Sequence, residues 1–256
     1  METTGGAVLP NLQAVILCGG LGMRLRGRQP GTPKALAPIG GRSFLEYLIQ
    51  DLVAVGIRRM ILCTGHGRDL IRAYFGDGSD FGAAIQYSEE SVALGTGGAL
   101  KNAQRLVHSE PFLLCNGDSL LEMDYERLLT KHLTSKAKVT LALTAVEDGS
   151  RFGNVRSLPD GTVTELFEKP PRPASGPQAA WIYGGVCVAQ QSLFADIAEA
   201  PPAVSLECDV LPQLIGRRLF AERFKGFFVD IGIPEDYERA CGSIPQRYNF
   251  AGSHSR

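Results

Sequence analysis

A chain of 256 residues, 44% of them hydrophobic, can bury one core of ordinary size and leaves little room for two full domains. Lysine plus arginine (26) nearly balance aspartate plus glutamate (27), which excludes a broad field for nucleic acid or a membrane surface, so an anionic ligand must be met by a local site. Six scattered cysteines without close CxxC pairing exclude a zinc ribbon or redox motif and point to reduced thiols in a cytoplasmic protein. The start has no charged and apolar regions of a signal peptide, and no stretch approaches the roughly 20 apolar residues of a membrane span.

In chain order, residues 1–11 read as a disordered start, and LQAVIL (Leu12 to Leu17) as a fully buried strand running into a glycine loop, Gly19 to Gly22. Ser43 to Val55 shows helical spacing behind a capping serine and stops at Gly56. Arg59 to Thr64 is a strand, Arg68 to Tyr74 a helix, and Ala84 to Tyr87 a strand leading to a second glycine turn, Gly95 to Gly98. A helix is expected over Gly98 to Leu106, and a strand over Pro111 to Cys115 that ends at Asn116, Gly117 and Asp118. This alternation predicts βαβ units and a mostly parallel sheet.

Beyond Ala137 the texture changes to short strands: Lys138 to Ala145, Asn154 to Arg156, Val163 to Phe167 and Tyr183 to Val188. The sheet is therefore expected to become mixed. Pro170 to Pro177, with four prolines, reads as an irregular loop, and the residues after about Pro245 as a disordered tail, 246–256. The expected architecture is a single α/β domain over 12–245, a Rossmann-like mixed sheet flanked by helices.

Five constellations carry chemistry. The loop GGLGMRL (Gly19 to Leu25), with Pro33 and Lys34 after it, can bring backbone N–H groups and the cations Arg24 and Lys34 to a phosphate chain, although such loops often merely turn the backbone. It matches neither the dinucleotide fingerprint nor the P-loop pattern. Asp118 and Asp230 each end an apolar strand, where ligands of open α/β sheets sit, and could converge on one Mg²⁺, though either alone is more often a cap or loop residue. Glu168 and Lys169 precede the proline-rich loop, and LGTGGA (Leu94 to Ala99) could lie against a base or a phosphate.

Taken together and in order, GGLGMRL with Pro33 and Lys34, LGTGGA, NGD (Asn116 to Asp118), SRFGNV (Ser150 to Val155), FEKP (Phe167 to Pro170) and DIGIPEDY (Asp230 to Tyr237) resemble the sugar-1-phosphate nucleotidyltransferase family over about Leu12 to Ala240. SRFGNV and DIGIPEDYERA resemble most the short enzymes that guanylylate D-glycero-α-D-manno-heptose 1-phosphate; mannose and muramate 1-phosphate enzymes are near neighbours.

The resemblance implies a nucleotide-diphospho-sugar transferase fold and a magnesium-dependent reaction of nucleotide sugar biosynthesis. A sugar phosphate oxygen attacks the α-phosphorus of a nucleoside triphosphate in line with the departing pyrophosphate. By motif match, Asp118 and Asp230 hold Mg²⁺, and Arg24, Lys34 and Lys169 complete the catalytic set. The nucleotide would meet Leu17, Gly19, Gly20, Gly22, Met23, Arg24, Lys34, Glu90, Gly95, Thr96, Asn116 and Asp118. The sugar would meet Gly117, Gly153, Glu168, Lys169 and Gly185. Glu90, just upstream of the LGT turn, can accept from guanine N–H groups, which favours GTP; ATP, UTP or dTTP and a hexose acceptor stay open. Met23, Val92, Ala93 and Tyr183 depart from the usual residues of the family. A regulatory protein that binds a nucleotide sugar without turnover is the competing class. Self-association is left open.

Overall fold

The computed structural model describes residues 9–20, 32–167, 178–198 and 203–248. Arg24, Gly22, Met23, Glu168 and Lys169 lie outside them, as does the proline-rich loop expected over Pro170 to Pro177.

The first strand, β1 (Gln13–Leu17), forms where the sequence places it and is buried almost throughout. It pairs in parallel with β4 (Arg59–Thr64) on one side and β6 (Phe112–Asn116) on the other, and β5 (Ala84–Glu89) extends β4. The small ribbon of β2 (Pro38–Ile39) and β3 (Arg42–Ser43) precedes the helix α1 (Phe44–Ala54), whose first turn is capped by Ser43 Oγ accepting from the Glu46 N–H. The helix α2 (Arg68–Phe75) returns between β4 and β5.

The long strand β11 (Ala180–Ala189) makes the sheet mixed, running antiparallel to β6 and to β8 (Val139–Val146). The main path then continues to β9 (Asn154–Ser157) and β10 (Val163–Phe167), while β12 (Leu219–Phe224) joins β8 in parallel. Hydrophobic clusters fill both faces: Phe44, Leu48 and Leu52 of α1 belong to one, and Phe112, Leu141 and Phe194 to the other. This is the expected fold class. All six cysteines are free, and Cys18, Cys63, Cys115 and Cys187 are buried.

Several elements depart from the sequence reading. The helix α3 begins at Gly95 and ends at Asn102 (Gly95–Asn102), so the glycine turn is its first turn and not a preface to it. The Gly97 and Gly98 N–H groups donate to Val204 O at 2.9 and 3.3 Å, a tertiary contact that offsets the poor helix propensity of glycine. Leu9–Asn11, read as part of the disordered start, form a 3-10 turn because Leu9 is buried in the core. The helix α5 (Pro234–Arg247) continues through Pro245, past the expected end of the domain, anchored by buried Ala240 and Ile244. Another helix, α4 (Tyr125–Thr134), has no counterpart in the sequence reading.

One short pairing decides the site. Strand β7 (Ser119–Leu121) follows Asp118 directly and pairs antiparallel with β13 (Phe228–Asp230), setting Asp230 opposite Ser119. Among the described residues no helix is long and apolar enough to cross a membrane.

Candidate active site

The parallel strands β1, β4, β5 and β6 deliver their C-terminal ends to one edge of the sheet. Gly19, Gly65, Glu90 and Asn116 follow from those ends, which is where open α/β sheets take ligands.

Asp118 and Asp230 meet there. Lys34, at the start of a 3-10 turn pinned by buried Ala35, reaches across to place Nζ 2.5 Å from Asp118 Oδ2. The Ile231 N–H donates to Asp118 O at 3.0 Å, and the Gly232 N–H donates to Asp230 Oδ1 at 2.6 Å, so the two acidic loops are laced together. Burial first, then the neighbouring Asp118 carboxylate, push the Asp230 carboxyl up to about 6, with Lys34 pulling the other way. Lys34 pairs with Asp118 and attracts Asp230 only at longer range, so two carboxylates face one ammonium and the negative charge left over fits a cation.

Among the described residues no group of three or more metal-capable side chains gathers. Mg²⁺ commonly takes only one or two carboxylates and completes its shell with phosphate and water oxygens, so the pair suits that ion. Lys34, Asp118, Arg151, Gly153, Asp230 and Gly232 border an open cavity of about 530 Å³.

A second cavity of about 320 Å³ adjoins it, sharing Phe152, Gly153 and Asp230 and lined further by Asn116, Ser119, Tyr183, Gly185 and Glu207. Gly185 sits at φ +79°, and a Cβ there would lie 2.1 Å from Ser119 Oγ, so glycine is required where β11 passes β7. Asn116 Oδ1, Ser119 Oγ and Asn154 Oδ1 are buried without a hydrogen-bond partner among the described residues. Unpartnered polar atoms of this kind are uncommon and can be satisfied by a polyhydroxylated ligand.

Glu90 lies apart from both, in a cavity of about 310 Å³ with Gly19, Gly65, His66, Arg68 and Ala93. Its Oε2 accepts from the Leu94 N–H at 3.3 Å, and burial raises its carboxyl above the usual range. A Cβ on Gly65 would stand 2.7 Å from Glu90 Oε1, so the carboxylate is held against bare backbone.

Gly19, Lys34, Asp118, Asp230, Gly153, Gly185 and Glu90 thus border cavities at this edge. Gly117 does not. Its N–H donates to Leu17 O at 2.8 Å, and it packs on Cys18, so Leu17 and Gly117 hold β1 to β6. Gly20 is exposed beside Gly19. Asn116, expected with the nucleotide, lines the same cavity as Gly153 and Gly185. Thr96 Oγ1 donates to Glu207 Oε2 at 2.6 Å and accepts from the Leu206 N–H, while Gly95 packs on Val204; neither lines the Glu90 cavity. Arg68, His66, Ser119, Asn154 and Glu207 were given no role by the sequence. Asn154 and Arg151 lie inside SRFGNV, where a motif match alone does not say which way they face.

Residues 13–247 match the family model described as nucleotidyl transferase. The chain belongs to that family. It is 36% identical over 230 residues to the D-glycero-alpha-D-manno-heptose 1-phosphate guanylyltransferase of Aneurinibacillus thermoaerophilus, covering 90% of this chain and 96% of that protein. The Campylobacter jejuni protein of the same description is 34% identical over 226 residues, covering 88% and 97%. The crystal structure of HddC from Yersinia pseudotuberculosis superposes with a TM-score of 0.79 at 30% identity, covering 91% of this chain and 99% of that one. The same protein complexed with GMP-PN gives 0.77. The resemblance read from six ordered motifs is borne out, and the chain is a nucleotidyltransferase.

Proposed function

We propose that the enzyme transfers a guanylyl group from GTP to a sugar 1-phosphate, D-glycero-α-D-manno-heptose 1-phosphate in the first instance, releasing pyrophosphate. The observation that carries this reading is the meeting of Asp118 and Asp230 beside Lys34, in a cavity that adjoins one with buried polar atoms, at the same sheet edge as a separate cavity around Glu90. The names of the relatives favour the guanylyl donor and the heptose acceptor.

In this mechanism Asp118 and Asp230 hold Mg²⁺, which when bound supplies charge neutralisation for the phosphates. Lys34, donating to Asp118, holds that carboxylate in place and lends its own charge to the phosphate chain. Asn116, Ser119 and Asn154 take sugar hydroxyls and fix the sugar phosphate for in-line attack. Its oxygen bonds to the α-phosphorus as the bond to the pyrophosphate oxygen breaks, and alignment replaces any covalent nucleophile. Glu90 accepts from the N1–H and N2–H of guanine, a pattern that adenine does not present. Arg24, Gly22 and Met23 on the triphosphate, Lys169 on the phosphate of the sugar and Glu168 on the sugar hydroxyls are carried from the motif match.

Pyrophosphate release tests this, with GTP, ATP, UTP, CTP and dTTP each set against heptose and hexose 1-phosphates in the presence of Mg²⁺. Turnover that needs both partners and prefers GTP with the heptose is expected. Preference for another pair replaces the donor or the acceptor and leaves the reaction class standing.

A further inference from the structure

Arg151 and Asp236 form an ion pair that no role assigned above uses. Asp236, in the first turn of α5, has a side chain only 2% exposed. One carboxylate oxygen accepts from Arg151 Nη2, and the other lies 2.9 Å from Arg239 Nη2. A carboxylate so deeply buried is tolerated because two cations satisfy it.

Arg151 runs from that buried pair to solvent, with its side chain 41% exposed, and it borders the cavity that contains Lys34, Asp118 and Asp230. Its guanidinium lies 5.4 Å from the Phe152 ring, and Phe152 and Gly153 line both this cavity and the one lined by Asn116 and Ser119. Among the described residues its side chain donates to Asp236 alone, while Asp230 and Glu235 attract it at longer range. A guanidinium has five N–H donors in a rigid fork, so one edge can be fixed by a carboxylate while another meets a second anion.

We propose that Arg151 is a phosphate ligand, holding the phosphate of the acceptor sugar at the junction of the two cavities, and that Asp236 is the positioning residue that aims it there. The naming of that phosphate rests on the proposed function; the anion site itself does not. The simpler alternative is that the pair only staples the loop before β9 to α5.

Arg151→Lys separates the two. Lysine keeps the charge that Asp236 needs but has no second edge, so a purely structural pair tolerates it. Inorganic phosphate, titrated by ³¹P line broadening against the full-length protein, is expected to bind at least about tenfold more weakly to Arg151→Lys, the worth of one charge-assisted hydrogen bond. The double variant Arg151→Gln with Asp236→Asn removes the pair without stranding a buried charge and is expected to lose at least as much. In turnover, Arg151→Lys should raise KM for the sugar 1-phosphate and leave KM for the nucleotide within about twofold. Wild-type protein that binds no phosphate, or variants that bind it as wild type does, would overturn the site. Absence of wild-type turnover alongside Arg151-dependent phosphate binding would count against the proposed reaction and leave the anion site intact.

Discussion

Lys34 Nζ and Asp118 Oδ2 stand 2.5 Å apart although 84 positions separate them in the chain. The contact joins the turn after the first glycine loop to the end of β6, and β13 then brings Asp230 to the same point through its pairing with β7. The centre is therefore assembled by sheet topology from segments that share no local contact.

Removing either carboxylate should stop the chemistry and spare the fold. Asp118→Asn and Asp230→Asn are each expected to lower turnover at least about 100-fold, by analogy with the loss of one preorganised electrostatic group. Circular dichroism should match wild type. Chelation by EDTA should abolish activity, and magnesium should restore it. Near-normal turnover in either variant would remove that residue from the centre.

Asp230 also sets a pH dependence of stability. Its folded value, about 6, lies above its unfolded value, so the native state binds the proton more tightly. The stabilisation it contributes is full below about pH 4 and is lost as pH rises through about 6. At pH 7.5 without metal, Asp230→Asn should therefore melt higher than wild type by several degrees, with the gap closing at pH 5. A variant that melts lower at pH 7.5 would show that the buried charge is not strained.

His132 works in the opposite direction. It is fully buried, with Thr140 Oγ1 3.1 Å from Nδ1 and Gln190 Nε2 2.9 Å from Nε2, and burial followed by Arg218 holds it down to about 4. Its contribution is full above the unfolded value near 6.5 and is lost as pH falls toward 4, worth up to about 3 kcal/mol. Thermal melts of wild type and His132→Gln from pH 7 to 4.5 should show the steeper loss in wild type. Parallel curves would contradict this.

Glu90 tests the choice of base. Glu90→Gln exchanges one acceptor oxygen for a donor, which should cost about 1 to 3 kcal/mol in kcat/KM for GTP and less for UTP. An equal loss with both nucleotides would discard its role in reading guanine.

Much of the scaffold was legible because its strands are continuous apolar runs with hard stops. QAVIL, RMILCT and FLLCN are bounded by glycine or by Asn-Gly-Asp, and the two acidic strand ends marked Asp118 and Asp230. Strand β13 showed as the short apolar run before Asp230, but the three residues of β7 did not show, and the pairing of β7 with β13 that makes the two acids neighbours leaves no local pattern. The start of α3 was hidden because Gly-Thr-Gly-Gly is a poor helix former, and the carbonyl that steadies it belongs to Val204, far along the chain. Arg151 and Asp236 lay inside two recognised motifs, but a contact between distant motifs leaves no local pattern.

Isotope partition tests guanylyl transfer most directly. GTP labelled at the α-phosphorus and GTP labelled at the γ-phosphorus are each incubated with the heptose 1-phosphate and Mg²⁺, and the products are separated. Attack at the α-phosphorus predicts α label in a nucleotide sugar and γ label in pyrophosphate alone. Label from the γ position in a sugar product, or no transfer from either position while a nucleotide sugar binds, would contradict it.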